Sequence, residues 1–416
     1  MLTTRRTLLQ AAAQGLAAAA WPSWMPRLAF APRHTAPRGD VLVCIFQRGA
    51  ADALNVVVPH GEAAYYQLRP TLAIPRPDAR GVAAGARAQD LDGFFGLHPA
   101  LAPLLPAWQA GHLAAVHACG APDESRSHFQ AMELMERGVA EPAGPASGWI
   151  GRHLGALDTG NASPLRAIGL GEQVPRSLQG TVPAAALRSI ADFHLGGDPR
   201  AVNALQGALT VLYQGGDPLA GPGQAALGVL DTLDRLDPTH YRPAAGAQYP
   251  DSDFGWGLRQ VAMLIKADVG LEVACLDLGG WDTHITQGGS AGQMAGLLAD
   301  LGAGVAALYA DLALHLDRLL VVTLSEFGRR AQENGSLGTD HGHGSVMLLL
   351  GGGIAGGRVV GRWPGLAPDQ LVGPGDLAVT TDYRDVLGEV VRQRLNNPRL
   401  DTVFPGYTPI FPGVTR

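Results

Sequence analysis

The sequence predicts an α/β fold, a three-layer αβα sandwich with a mainly parallel central sheet. Three observations carry this. Short, continuous apolar runs at 41–46, 113–118 and 319–324 read as strands buried on both faces. Segments with apolar residues at three- and four-residue spacing read as helices. The two kinds alternate along the chain, the pattern of a parallel sheet covered by helices on both sides.

In order, residues 41–46 (VLVCIF) form the first predicted strand. Residues 99–109 form a helix that leads to a second strand at 113–118. Residues 127–137 form a helix closed by Gly138. The stretch from about 140 to 250 is rich in Gly, Ala and Pro. It carries helical patterns at 201–213 and 225–236 and reads as a helical insertion within a single domain, 40–416. A helix at 253–267 precedes a strand at 271–278, and a long Ala/Leu-rich helix at 293–316 precedes the strand at 319–324. A strand at 346–350 and a helix at 382–395, with Thr381 as its N-cap, complete the pattern.

Composition narrows the chemistry. The 416 residues are 46% hydrophobic and 16% charged, which supports a large packed core. A net charge of -6 gives no basic face for nucleic acid. Lys266 is the sole lysine, so there is no phosphate-binding Gly-Lys-Ser/Thr loop, and Schiff-base chemistry rests on one residue. Cys44, Cys119 and Cys275 lie in apolar runs and form no CxxC pair, so they read as core thiols rather than a zinc site. In an oxidising compartment, one disulfide with one free thiol is the alternative.

Residues 1–31 read as a twin-arginine signal peptide. Arg5-Arg6 precedes apolar residues, an alanine-rich stretch follows, and Ala29-Phe30-Ala31 offers a small-x-small cleavage pattern. The expectation is a periplasmic or secreted protein, exported folded by the twin-arginine machinery. No stable membrane span is expected to remain after cleavage.

In parallel-sheet folds function collects at the carboxyl ends of strands. Asp52 follows the first strand; Arg126, Ser127 and His128 follow the second; Asp282 and His284 follow the strand at 271–278; Glu326 follows the strand at 319–324. Asp340, His341 and His343 precede the next strand, in Asp-His-Gly-His-Gly. Carboxylate oxygen mixed with imidazole nitrogen is a ligand set for hard or borderline divalent metals. The candidate metal ligands are therefore Asp52, Asp282, His284, Glu326, Asp340, His341 and His343, for one or two ions of zinc, manganese or calcium. The alternatives are a solvated turn for the Asp-His-Gly-His-Gly loop, a helix cap plus a surface histidine for Asp282 and His284, a turn cap for Asp52, an ion pair with Arg329 or Arg330 for Glu326, and a helix cap for Ser127. His98, His112, His117 and His153 read as ordinary core or surface residues.

Two other motifs point elsewhere. Gly288-Gly289-Ser290-Ala291-Gly292 fits a nucleophile elbow, but no strand runs directly into it. Residues 351–356 fit G-x-G-x-x-G, but a strand rather than a helix is expected next.

Several strings keep one order over nearly the whole chain: RGAADALN at 48–55, FGLHPAL at 95–101, SRSHFQAM at 125–132, GWIGR at 148–152, GGWDTH at 279–284, SEFGRR at 325–330, NGSLGTDHGHGS at 334–345 and TTDYRDV at 380–386. Together they resemble the DUF1501 family of uncharacterised exported proteins. The first motif usually reads RGGADGLN, and Ala50 and Ala53 here replace glycines. The family is similar in outline to the alkaline phosphatase and sulfatase superfamily. That likeness implies an alkaline phosphatase-like sandwich with one or two metals. GTDHGHGS would be the late Asp-His signature, Asp282 with His284 a second cluster, and Asp52 an early ligand. Ser127 would stand at the nucleophile position, with His128 and Arg126 beside it as catalytic residues, and Arg126 or Arg48 would bind nonbridging oxygens. The sequence departs from that pattern where Glu326 replaces the usual Asp and where no histidine follows His343. The implied function is metal-dependent hydrolysis of phosphate or sulfate esters. The alternative is a non-catalytic exported binding or assembly protein that retains the fold.

Overall fold

The seven residues Val41–Gln47 form β1, and every one of them is buried. Side chains alternate across a strand. Val41, Val43 and Ile45 join one apolar cluster, while Leu42, Cys44 and Phe46 join another on the opposite face. A strand with two buried faces has no room for polar alternation, which is why its sequence is continuously apolar.

The computed structural model describes residues 40–157, 159–190, 198–215, 220–234 and 240–416. The expected signal segment, residues 1–31, lies outside them. Further strands are β2 (Leu113–Gly120), β3 (Ala167–Leu170), β4 (Ala185–Leu187), β5 (Val273–Leu278), β6 (Leu319–Leu324), β7 (Ser345–Leu350), β8 (Arg358–Val360) and β9 (Thr381–Asp382). They make one nine-stranded sheet in the order β8-β2-β7-β6-β1-β5-β3-β4, with β9 also paired to β2. All pairings within this sheet are parallel except the two made by β7, which runs against both β2 and β6.

Helices cover both faces. On the Val43 face lie Asp253–Lys266, through Leu258, Val261 and Leu264, and Gln293–Asp311, through Leu298, Leu301 and Leu308. On the Leu42 face lie Trp149–Ala156 and Tyr383–Gln393. Burying each such Leu or Val contributes about 1.5–3 kcal/mol. Gln293–Asp311 is long and apolar enough to cross a membrane, but half of it is buried within the fold, as for a core helix.

Two expectations are corrected, and the core-thiol reading of the cysteines holds. The 140–250 stretch is not simply a helical insertion: Ala167–Leu170 hydrogen-bonds to β5 and carries β4, so this segment builds one flank of the sheet. The last helix is capped by Asp382, whose carboxylate accepts the Arg384 amide at 2.8 Å, while Thr381 lies in β9. The three cysteines are buried free thiols; Cys44 and Cys275 sit side by side on β1 and β5.

His117 and His153 are core residues. His117 Nε2–H donates to the Val57 carbonyl at 2.9 Å, and its Nδ1 accepts the Ala118 amide at 2.8 Å. His153 Nδ1 faces the Asn397 amide at 3.0 Å. Burial pushes both imidazoles down to about 4 from the ordinary 6.5. The unfolded chain therefore takes up their protons at a higher pH than the folded one. Stability should fall as pH drops from about 6.5 to about 4, by on the order of 3 kcal/mol for each histidine, and level off below that. Urea denaturation across this range should show the slope, and a His117→Gln/His153→Gln variant should flatten it.

Candidate metal centre

β1, β2, β5 and β6 run in one direction, so their carboxyl ends share one edge, where the reversed β7 begins. Five loop segments meet there. Gly49 makes the closest approach possible. Its φ is +118°, and a Cβ would lie 2.6 Å from the Asp282 nitrogen. Gly342 plays the same part between the loops after β6 and before β7, because a Cβ there would lie 2.3 Å from the Arg329 carbonyl carbon. The adjacent Ala50 sits at φ +65°, the left-handed region that glycine tolerates better.

Three imidazoles converge at this edge, and each has its Nδ1 held by an oxygen. His128 Nδ1 is 2.7 Å from Glu326 Oε1, His341 Nδ1 is 3.1 Å from the Arg126 carbonyl, and His284 Nδ1 is 3.2 Å from Asp340 Oδ1. A carbonyl or carboxylate at Nδ1 calls for N–H there, which leaves Nε2 with a lone pair in the neutral ring. All three Nε2 atoms face Asp282 Oδ1, at 3.5 Å from His128, 3.1 Å from His284 and 3.0 Å from His341. His284 Nε2 and His341 Nε2 are also 2.9 Å apart. Lone pairs facing each other at that distance repel unless a cation or an extra proton lies among them. His128 Nε2 is buried with no hydrogen-bond partner.

The electrostatics favour the deprotonated donor set. Burial alone would raise Asp282, but its contacts with His341 and the charged Arg329 guanidinium outweigh it and hold the carboxyl at about 2. Burial pushes the His341 imidazole down, opposed by Asp282 and reinforced by Arg329 and His128. Asp340 is held low chiefly by its hydrogen bond from Asn334. The residues fit a single divalent ion. The donors that do so are His128, Asp282 and His341, whose ligand atoms all lie within 4.8 Å of one another, while His284 flanks the group through Asp282 and His341. Held Nδ1 atoms are the usual outer partners of metal-bound histidines.

Several residues expected as ligands hold other posts. Glu326 is fully buried and orients His128 instead, also accepting the Gly49 amide at 2.9 Å. Asp340 orients His284. His343 turns away, with Nε2 2.9 Å from the Ala121 carbonyl. Asp52 is fully buried in a pair with Arg69 at 2.5 and 2.9 Å, and it also accepts from Gln287 at 2.7 Å. No carboxylate oxygen of Asp52 is left for an ion at the edge. His128, expected as a catalytic neighbour of Ser127, is itself a donor of the cluster. Ser127 is exposed, precedes the helix His128–Arg137 and makes no side-chain cap. Arg126 pairs with Asp376, and Arg48 with Glu136 and Asp277. A second group of metal-type donors does not form among the described residues.

The sequence reading missed Arg329 as a partner of Asp282. Its guanidinium is fully buried and donates to Asp282 Oδ1 at 2.7 Å. It also missed Phe327, whose ring lies 5.0 Å from both His128 and His341. Both lie in SEFGRR, and the signal was there: an arginine and an aromatic directly after an apolar strand at the functional edge. Ser290 sits in a loop that no strand enters directly, and residues 351–356 lead into β8, so neither rival motif has its required setting.

Fold and site define a mixed α/β protein with a mainly parallel sheet and a three-histidine, one-carboxylate cluster at its strand-end edge. The chain belongs to the DUF1501 family, described as a protein of unknown function, whose model matches residues 40–388. Comparison with curated proteins gives no match.

The placement of Asp52 makes a testable distinction. Asp52→Ala strands the Arg69 charge in the interior, so it should cost about 3–5 kcal/mol in urea denaturation. A ligand mutation at the edge should instead change metal content with little loss of apo-protein stability.

Proposed function

We propose that this protein is an exported, metal-dependent hydrolase-like protein acting on phosphate or sulfate esters. One observation carries the proposal: His128, His284 and His341, each held at Nδ1, aim Nε2 at Asp282 Oδ1. The imidazoles of His128 and His341 with the Asp282 carboxylate, and His284 beside them, suit zinc or manganese better than calcium, which takes oxygen ligands. One ion, not two, matches the single donor group. When bound, such an ion supplies Lewis-acid activation of water or of an ester oxygen. The chain's own residues fix the imidazole tautomers, hold Asp282 ionised through Arg329 and leave the Asp282 side chain half exposed, so that a ligand has access. The ester class and an alkaline phosphatase-like ancestry rest on the resemblance of GTDHGHGS and its companion motifs. Export through the twin-arginine machinery to the periplasm or beyond rests on residues 1–31, and would let the ion be loaded before transport.

A second reading has its own support. Ser127 is exposed and makes no side-chain cap, and both candidate oxyanion forks, Arg48 and Arg126, are engaged by carboxylates. This favours a non-catalytic binding or assembly protein that keeps the metal.

Elemental mass spectrometry of the purified protein should find close to one zinc or manganese per chain, and Asp282→Asn/His341→Ala should lose it. No metal in the wild type after incubation with either ion would overturn the metal reading. Metal without turnover of a panel of aryl phosphate and sulfate esters would select the non-catalytic reading.

A further inference from the structure

The arginines around the candidate centre are almost all saturated. Arg69 donates to Asp52, Asn55 and the carbonyls of Arg330 and Ala331. Arg329 donates to the carbonyls of Gly49, Ala50, Trp281 and Thr339 and to Asp282. Arg330 is the exception. Its amide donates to the Asp340 carbonyl at 2.9 Å, which places it directly beside the Asp340–His341 segment. Its guanidinium makes no hydrogen bond. Nη1 is 3.9 Å from Asp340 Oδ2 and Nε is 4.0 Å from Asp376 Oδ1, both too long for one. Nε is nevertheless buried without a partner, and so is Asp376 Oδ1.

The two nearest carboxylates each have one oxygen engaged elsewhere, and their other oxygens, Asp340 Oδ2 and Asp376 Oδ1, stand in ion-pair range of Arg330 without a hydrogen bond to it. Asp376 pairs with Arg126 through its other oxygen, and Asp340 accepts from Asn334 and faces His284 through Oδ1. Arg330 is thus a charged planar fork with free donors, about one-third exposed, next to the cluster. A buried donor left without a hydrogen bond calls for an explanation, a bound ion or water among them. A planar fork of this kind is matched to an oxyanion, which it binds through two parallel N–H bonds.

We propose that Arg330 is the anion-recognition residue of this site, accepting a phosphate, sulfate or carboxylate group, with Asp376 and Arg126 as the positioning pair behind it. Its location rests on the proposed metal centre, but its donors do not depend on an ion. It also supplies the fork that the sequence pattern assigned to Arg126 or Arg48.

The test is isothermal titration of the full-length protein, in a chloride buffer, with sodium phosphate, sodium sulfate and sodium acetate separately. Each titration is run on chelator-stripped and on zinc-reloaded protein. Arg330→Gln should weaken binding of the preferred anion about 10- to 100-fold. Arg330→Lys keeps the charge but loses the fork, so it should recover only part of that loss. Metal content and thermal midpoint, read on the same samples, should stay at wild-type values. The proposal is overturned if the wild type binds none of the three anions, or if both variants bind as the wild type does. Binding that depends on Arg330 in a protein that takes up no zinc would support this proposal while removing the metal reading. If Arg330→Gln fails to fold, an undiminished affinity in Arg330→Lys still overturns the fork.

Discussion

The strand-end edge is tied together by one side chain. The Arg329 guanidinium lies fully buried among five acceptors: the carbonyls of Gly49, Ala50, Trp281 and Thr339, and Asp282 Oδ1. Those acceptors belong to the loops after β1 and β5 and to the segment before β7, while Arg329 itself follows β6. An arginine has five N–H donors, and none can be left dry in an interior without cost. The loops must therefore close around it together, and that closure sets Asp282 beside the histidines. A lysine offers three donors from a point and cannot span the same acceptors.

A second buried network underlies the first. Arg69 and Asp52 pair with no exposure, and Gln287 bridges Asp52 to the hydroxyls of Thr283 and Thr339 at 2.9 and 2.7 Å. Thr283 lies between Asp282 and His284, and Thr339 precedes Asp340. One amide side chain thus fixes the spacing of the two segments that carry most of the donors. Buried polar groups are tolerated at this depth only when each is satisfied, and here the partners satisfy one another. This explains how a loop-built site can hold its imidazoles without a helix or strand directly beneath each.

Much of the fold was legible because its signals are local. Continuous apolar runs marked β1, β2, β5, β6 and β7, and the strand-end rule pointed to the edge where Asp282, His284, Asp340 and His341 do meet. What was not legible is which residue touches the centre and which stands behind it. Glu326 and His128 are 198 positions apart, and Asp52 and Gln287 are 235 apart. A ligand and its outer partner have the same residue types, carboxylate and imidazole, so composition alone cannot separate them. The direction of β7 was hidden for a related reason. A short strand buried on both faces reads the same whether it runs parallel or antiparallel. The two small strands at 167–170 and 185–187 were too short to stand out within a Gly- and Pro-rich stretch.

The reversed strand has a functional consequence. Had β7 run parallel to β6, its carboxyl end would lie at this edge and the residues before it at the opposite one. Because it runs against both neighbours, the segment that enters it, residues 339–344, arrives at the edge where β1, β2, β5 and β6 finish. Asp340 and His341 reach the cluster only by this reversal. The two-glycine spacing around His343 then lets that segment lie flat against the loop after β6, backbone to backbone: the Gly328 amide donates to the His343 carbonyl at 2.9 Å and the Gly342 amide to the Gly328 carbonyl at 2.8 Å. Bulkier residues would hold the two chains apart, and His341 would no longer reach both Asp282 and the Arg126 carbonyl. The glycines of the Asp-His-Gly-His-Gly run are thus as much a part of the site as its histidines.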